Sequence, residues 1–220
     1  STFLDILKAI IGRDSYSIVS MSKLEKEFSV VSIEGKLANI VEETPNDEIN
    51  AESFKNLVGG GEVQASHKGY DEYQFQCNAR FIFACNEMPI FKDRSVGLED
   101  RLLFIPFDRY FKEQERDTTL FEQLLKELPG IMNWAIKGAI TMEKERSIPQ
   151  YEITAMAKEQ YRLETDALYA WFIENVEITA SAEDKTVKEV YENYVQSTSN
   201  NGNKPYSKDK FIKRFRKIAE

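Results

Sequence analysis

The 220-residue chain is poor in the side chains that build metal centres and covalent scaffolds. It has two cysteines, Cys77 and Cys85, no CxxC pair and a single histidine. A disulfide framework, a zinc site and a His-based metal centre are therefore not expected, and a reducing compartment is the default. No apolar run approaches the roughly 18 residues that a membrane helix needs. The opening STFLDILKAIIG is interrupted by Asp5 and Lys8 and has no basic leader, so it does not read as a secretory signal. Internal repeats and low-complexity tracts are also missing. What is there, 42% hydrophobic, 12% aromatic and 30% charged residues, is the composition of a soluble globular protein. The length suits one large domain, or a medium one with a small companion.

The net charge of −8 argues against a surface coated throughout for nucleic acid. The charge is uneven, however. Residues 204–220 hold seven Lys or Arg against two Asp or Glu, leaving 22 basic and 35 acidic groups on the other 203 residues. A local basic patch on an acidic body points to a defined polyanion contact.

Hydrophobic spacing predicts the order of elements. Phe3, Leu4, Leu7, Ile10 and Ile11 recur at helical spacing, and Gly12 supplies a stop. This helix starts almost at the first residue, an abrupt beginning that reads as a fragment of a longer protein. KLANIV, 36–41, reads as a buried strand that ends at Glu42 and Glu43, followed by the loop TPNDE. A short helix over 50–58, with Phe54, Leu57 and Val58 on one side, meets the chain reversal Gly59-Gly60-Gly61. A β-hairpin follows over 62–76, turning near His67–Asp71. ARFIFAC, 79–85, reads as a central strand buried on both faces, and LLFIPF, 102–107, as another strand. Strands with little alternation, mixed with helices, predict an α/β sheet covered on both sides. Helices then follow over 117–146 and 151–164. Residues 165–220 predict three more, separated by loops that include STSNNGNKP, with the last helix at 207–219. Three short helices, the last of them basic, suggest a helix-turn-helix or winged-helix module.

Several residues in this order could carry chemistry. Glu42 and Glu43 follow a buried strand, and α/β proteins bind ligands at the carboxyl ends of their strands. One carboxylate could hold a metal and the next polarise a water. Taken alone, the pair reads first as a solvated strand end, since acidic pairs are common. Asn86 ends ARFIFAC and comes near the two acids if the strands are neighbours; an Asn that merely turns the chain has the same sequence. Arg101 is either a surface ion-pairing group or a guanidinium for phosphoryl transfer. His67 and Lys68, followed by Gly69 and Tyr70, make a basic, aromatic hairpin tip suited to a nucleic-acid backbone, or a solvated turn. In the last helix Phe211, Phe215 and Ile218 mark a core face. Lys210, Lys213, Arg214 and Lys217 mark a separate stripe that could lie against phosphates or only face water.

The order of these pieces is more specific than any one of them. A strand ending in Glu-Glu, then FKNLVGGGEVQASHKGY, FIFACNEMP, DRLLFIPF and LPGIMNWAIKGA resembles the superfamily 3 helicases over nearly the whole chain. The resemblance is to the helicase part of phage and plasmid primase–helicases, which are AAA+ ATPases. It implies a mostly parallel AAA+-type sheet flanked by helices, followed by a helical segment and a winged-helix-like module. The implied domains are an ATPase core over 1–112 without its N-terminal part and most of its Walker A loop, a helical lid or linker over 113–164, and a truncated winged-helix-like DNA-binding module over 165–220.

The implied activity is ATP-dependent unwinding of DNA by a ring, in replication of a phage, plasmid or other mobile element. ATP and Mg are the implied cofactors. Single-stranded DNA in the channel, duplex DNA at the C-terminal module and other copies of the chain in a hexamer are the implied partners, with no membrane. The expected compartment is the cytoplasm of a bacterial host. Carried over residue by residue, Ser1 would ligate magnesium and Thr2 would lie beside the phosphates. Glu42 and Glu43 match the Walker B pair, as magnesium ligand and as base for water. Asn86 matches sensor 1, Arg101 the finger arginine, and His67 and Lys68 the channel hairpin. The GKST-type lysine is not in this chain, so the piece alone is expected to be inactive. Gly61 stands where related sequences often have Asp, and Asp100 where they often have a second Arg, leaving Arg101 with Arg94 nearby. Two other readings stay open: a non-enzymatic origin-binding or ring-loading module with a vestigial ATP site, and a protein-remodelling AAA+ motor.

Overall fold

The computed structural model describes residues 2–44, 50–87, 89, 91, 96–177 and 185–219, and divides the chain into two compact units, residues 1–151 and 152–220. Most of the TPNDE loop, Ser1 and Arg94 lie outside the described residues.

The first unit opens with α1 (Thr2–Ile11), which Gly12 ends in a left-handed conformation at φ 83°. Strand β1 (Tyr16–Ser17) follows, then α2 (Glu27–Val30), β2 (Ala38–Val41) and α3 (Ala51–Val58). A hairpin of β3 (Glu62–Ala65) and β4 (Tyr73–Gln76) leads to β5 (Arg80–Phe83) and α4 (Val96–Glu99). The unit closes with α5 (Leu120–Lys126) and α6 (Leu128–Glu145). Pro129 sits in the first turn of α6, where its missing N–H costs nothing.

Strands β1, β2 and β5 form a parallel sheet in the order β1-β2-β5. The register pairs Ser17 with Asn39, and runs from Ala38 opposite Arg80 to Val41 opposite Phe83. Strand β2 is buried at every position because both faces of the sheet are covered. On one face Ala38 and Ile40 join Leu4 of α1, with Leu7, Ile11 and Ile82 packed around them. On the other, Phe54 of α3 lies 6.4 Å from Phe81, 6.3 Å from Phe83 and 5.3 Å from Phe91, ring centre to ring centre. That two-sided cover is why KLANIV shows no alternation.

Two strand expectations change. The central strand is β2, whereas β5 is half-buried and pairs only with β2 among the described residues. LLFIPF is not a strand. Among the described residues it joins no ladder; Pro106 has no amide to donate, and Leu103, Ile105 and Phe107 are 54%, 57% and 73% exposed. Phe104 is buried, and the ring of Phe107 rests 5.8 Å from that of Phe3.

The three glycines after α3 have a defined task. Gly60 takes φ 73°, its N–H donates to the Leu57 carbonyl at 3.2 Å, and the Gly61 N–H donates to that of Asn56 at 3.0 Å. This is a Schellman ending, which satisfies the last carbonyls of the helix. A Cβ at Gly61 would fall 1.9 Å from Asn56 Oδ1, and Asn56 Nδ2 donates to the Glu62 carbonyl at 2.9 Å. An Asp at Gly61 therefore requires the Asn56 side chain to leave this position.

The second unit holds α7 (Glu152–Thr165), α8 (Ala167–Asn175), α9 (Val187–Asn200) and α10 (Lys208–Ala219). Its core is Leu168, Trp171, Phe172, Tyr194 and Phe211, with Val190, Phe215 and Ile218 against it. Helix α9 runs into the expected loop STSNNGNKP as far as Asn200, because Thr198 faces the core. It ends at Gly202, φ 74°, again with a Schellman pair: Gly202 N–H to Ser199 and Asn203 N–H to Thr198. Ile173 of α8 is exposed, whereas its neighbours Trp171 and Phe172 are buried. Among the described residues no helix is long and apolar enough to cross a membrane.

One polar side chain lies in the middle of the parallel sheet. Asn39 of β2 is fully buried. Its Oδ1 accepts from Ser17 Oγ at 2.9 Å and from the Val19 N–H at 2.7 Å, and its Nδ2 donates to the Val19 carbonyl at 2.9 Å. Asn39→Leu would leave these groups without their partner in the interior. The expected cost is about 2–4 kcal/mol, read as a lower urea midpoint with an unchanged slope.

Candidate functional site

The parallel pairing of β2 and β5 decides where the expected site residues stand. Both strands run in one direction with Val41 beside Phe83, so Glu42, Glu43 and Asn86 lie at the same carboxyl end of the sheet. Beyond the regular ladder, Ala84 donates to the Val41 carbonyl at 2.9 Å and accepts from the Thr44 N–H at 3.0 Å. A regular parallel ladder joins one residue to two that are two apart. Here they are three apart, so the Glu42–Glu43 pair carries one extra residue, a bulge. Both glutamates and Asn86 are exposed.

The two acids differ in their surroundings. Lys8 of α1 donates from Nζ to Glu42 Oε1, and this hydrogen bond, with the charge of the ammonium, holds the Glu42 carboxyl below its ordinary range. The Lys8 side chain is 15% exposed and that of Glu42 42%. Lys8 Nζ also lies 3.9 Å from Asp5 Oδ1 and 5.9 Å from the centre of the Tyr16 ring. Next to the acids, Thr44 Oγ1 is buried with no hydrogen-bond partner among the described residues. The sequence reading singled out neither Lys8 nor Thr44. Lys8 lies 34 positions from Glu42, and only the packing of α1 on the sheet brings them together.

Thr2 begins α1 and is half-buried. Arg101 is exposed in the turn after α4, its N–H donating to the Leu98 carbonyl at 2.9 Å. Among the described residues no cluster of three or more His, Cys, Asp or Glu could cage a metal. The donor set still fits magnesium, which takes one or two carboxylates together with phosphate and water oxygens rather than a full protein cage.

The hairpin tip is built as a rigid turn. The Tyr70 N–H donates to the His67 carbonyl at 2.9 Å, and Gly69 supplies φ 85°. The His67 ring stacks on Tyr73 at 5.8 Å and 11°, and Tyr73 donates from its hydroxyl to Glu34 at 2.6 Å. Ser66 Oγ, buried below, bonds the carbonyls of His67 and Tyr70. Lys68 and Tyr70 project into solvent.

The basic stripe of α10 divides. Lys210, Lys213 and Lys217 are exposed. Arg214 turns inward and pairs with the buried Asp166, which also caps α8 by accepting from the N–H groups of Leu168 and Tyr169. Its guanidinium donates to the Tyr206 hydroxyl at 3.2 Å and lies 5.2 Å from the centre of that ring. Lys210 stands over the same ring at 4.6 Å. Arg214→Met would leave the Asp166 carboxylate without its cation and should cost about 2–4 kcal/mol. Lys213→Ala should stay within about 0.5 kcal/mol. Urea unfolding of the 220-residue chain separates the two.

Comparison with known proteins adds two findings. The profile of a family of unknown function, DUF5906, matches residues 1–101. A protein named "Putative helicase 184R", from Invertebrate iridescent virus 6, is 26% identical over 213 residues. The match covers 81% of this chain and 22% of the viral protein. The chain thus has a distant, helicase-like relative and spans about a fifth of that relative's length.

Proposed function

We propose that this chain is part of an ATP-driven DNA helicase motor of the superfamily 3 type, with a nucleotide site at the carboxyl end of the parallel sheet. The observation that carries the reading is the pairing of β2 with β5, which sets Glu42 and Glu43 at the same end of the sheet as Asn86, three residues beyond β5. The distant relationship to a viral protein named as a helicase supports it.

In this reading Glu42 holds magnesium, Glu43 takes a proton from the attacking water, and Asn86 orients that water or the terminal phosphate. Magnesium, when bound, neutralises charge on the phosphates and the leaving group. By resemblance, Ser1 would ligate magnesium, Thr2 would lie beside the phosphates, and Arg101 would reach the nucleotide of a neighbouring copy in an AAA+ ring, expected to be a hexamer. Lys68 and His67 grip the backbone of single-stranded DNA. Lys210, Lys213 and Lys217 approach duplex phosphates from a winged-helix-like module, with Arg214 holding α10 in place. Backbone contacts of this kind carry little sequence information and weaken steeply with salt.

The second reading, a ring-loading module with a vestigial ATP site, is favoured by the committed state of Glu42, whose carboxylate already has a cationic partner. ATP hydrolysis and strand unwinding by the full-length protein distinguish the two. Glu43→Gln should lower hydrolysis at least 100-fold, in line with loss of a general base. His67→Ala with Lys68→Ala should leave basal hydrolysis within about twofold and abolish unwinding and stimulation by single-stranded DNA. Hydrolysis that survives Glu43→Gln removes Glu43 from this role, and a wild-type protein without ATPase activity supports the ring-loading module.

A further inference from the structure

We infer that Lys8 is a positioning residue that stands in for the divalent cation at Glu42 and yields the carboxylate when metal and nucleotide arrive together. This rests on the nucleotide-site reading above and assigns a role to a residue outside the strand ends.

Lys8 differs from an ordinary surface partner in three ways. Its side chain is largely buried although it is a charged group in the last turn of α1. Its ammonium meets two carboxylates at once, bonded to Glu42 and 3.9 Å from Asp5. The face of Tyr16, 5.9 Å away, offers it a third negative surface. A cation with one partner must return to water when that partner is taken. Lys8 need only shift toward Asp5, one turn earlier on the same helix, with Tyr16 still beside it. Exchange between lysine and metal is therefore inexpensive, and Glu42 has a cationic partner in both states.

The arrangement makes a signed prediction about metal affinity. Lys8 competes with the metal for Glu42 and repels it, so removing the ammonium should tighten metal binding. Surface and partly exposed ion pairs of this kind correspond to a change of about 1.5–5-fold. Asp5 receives the displaced ammonium, so Asp5→Asn should weaken metal binding about 2–5-fold, and most of that effect should vanish in a Lys8→Met background. A pair that only joins α1 to the sheet would give no such tightening and no such coupling.

The test uses full-length protein saturated with ADP, with free Mn2+ titrated in and read by electron paramagnetic resonance. Glu42→Gln should weaken Mn2+ binding by tenfold or more. Lys8→Met and Lys8→Gln should both tighten it, and Lys8→Arg should stay close to wild type. Circular dichroism checks that each variant is folded; Lys8→Gln, which keeps a hydrogen-bond donor without the charge, carries the test if Lys8→Met does not fold. Unchanged or weaker Mn2+ binding in the neutral Lys8 variants, with Glu42→Gln still damaging, overturns the role of Lys8 and leaves the metal site standing. Wild-type protein that binds no Mn2+ with ADP, or Glu42→Gln without effect, overturns the nucleotide-site reading and the inference with it.

Discussion

A buried amide in the central strand is the contact on which the first unit depends. Asn39 bonds Ser17 and both backbone groups of Val19, so it joins the end of β1 and the chain beyond it to β2. A strand of two residues has little ladder of its own, and side-chain bonds from its neighbour replace what backbone pairing cannot supply. A shift of one residue in the β1–β2 register would carry Asn39 to the wrong face and leave a polar group among apolar side chains. With β2 held, β5 pairs along its other edge, and the ends of the two strands become one rim.

Different parts of the molecule were readable in the sequence to different degrees. Elements with strong local signals were legible. The helical stripe from Phe3 to Ile11, the run KLANIV, the glycine triplet and the aromatic face of α10 each state their conformation through spacing or through a residue that only one geometry suits. The stretch from Arg13 to Lys36 was not. Val19, Met21, Leu24, Val30 and Ile33 are all buried there, but they sit on short turns with neither a period of two nor one of 3.6. LLFIPF looked like a strand because it is apolar and β-prone. Strand formation also needs a partner edge, and a single run cannot supply one.

The candidate site shows the same division. The adjacency of the acid pair and Asn86 followed from two apolar strands with polar ends. The partners that modulate those residues did not, because they are long-range. Lys8 reaches Glu42 only through the packing of α1 on Ala38 and Ile40. Arg214 looked like one of four equivalent cations on a basic helix, yet it closes on Asp166, 48 positions away. A stripe on a helical wheel cannot separate a side chain that folds inward from three that stay in water.

The glycine-terminated end of α3 also has a mechanical side. Gly60 and Gly61 bond back to Leu57 and Asn56, Asn56 bonds forward to Glu62, and the Cys77 N–H closes on the Gly61 carbonyl at 3.2 Å. These links tie the end of the helix to both strands of the ribbon. The same short helix sets Phe54 against the aromatic side of the sheet, so one junction fixes both the cover of that face and the root of the hairpin that carries Lys68.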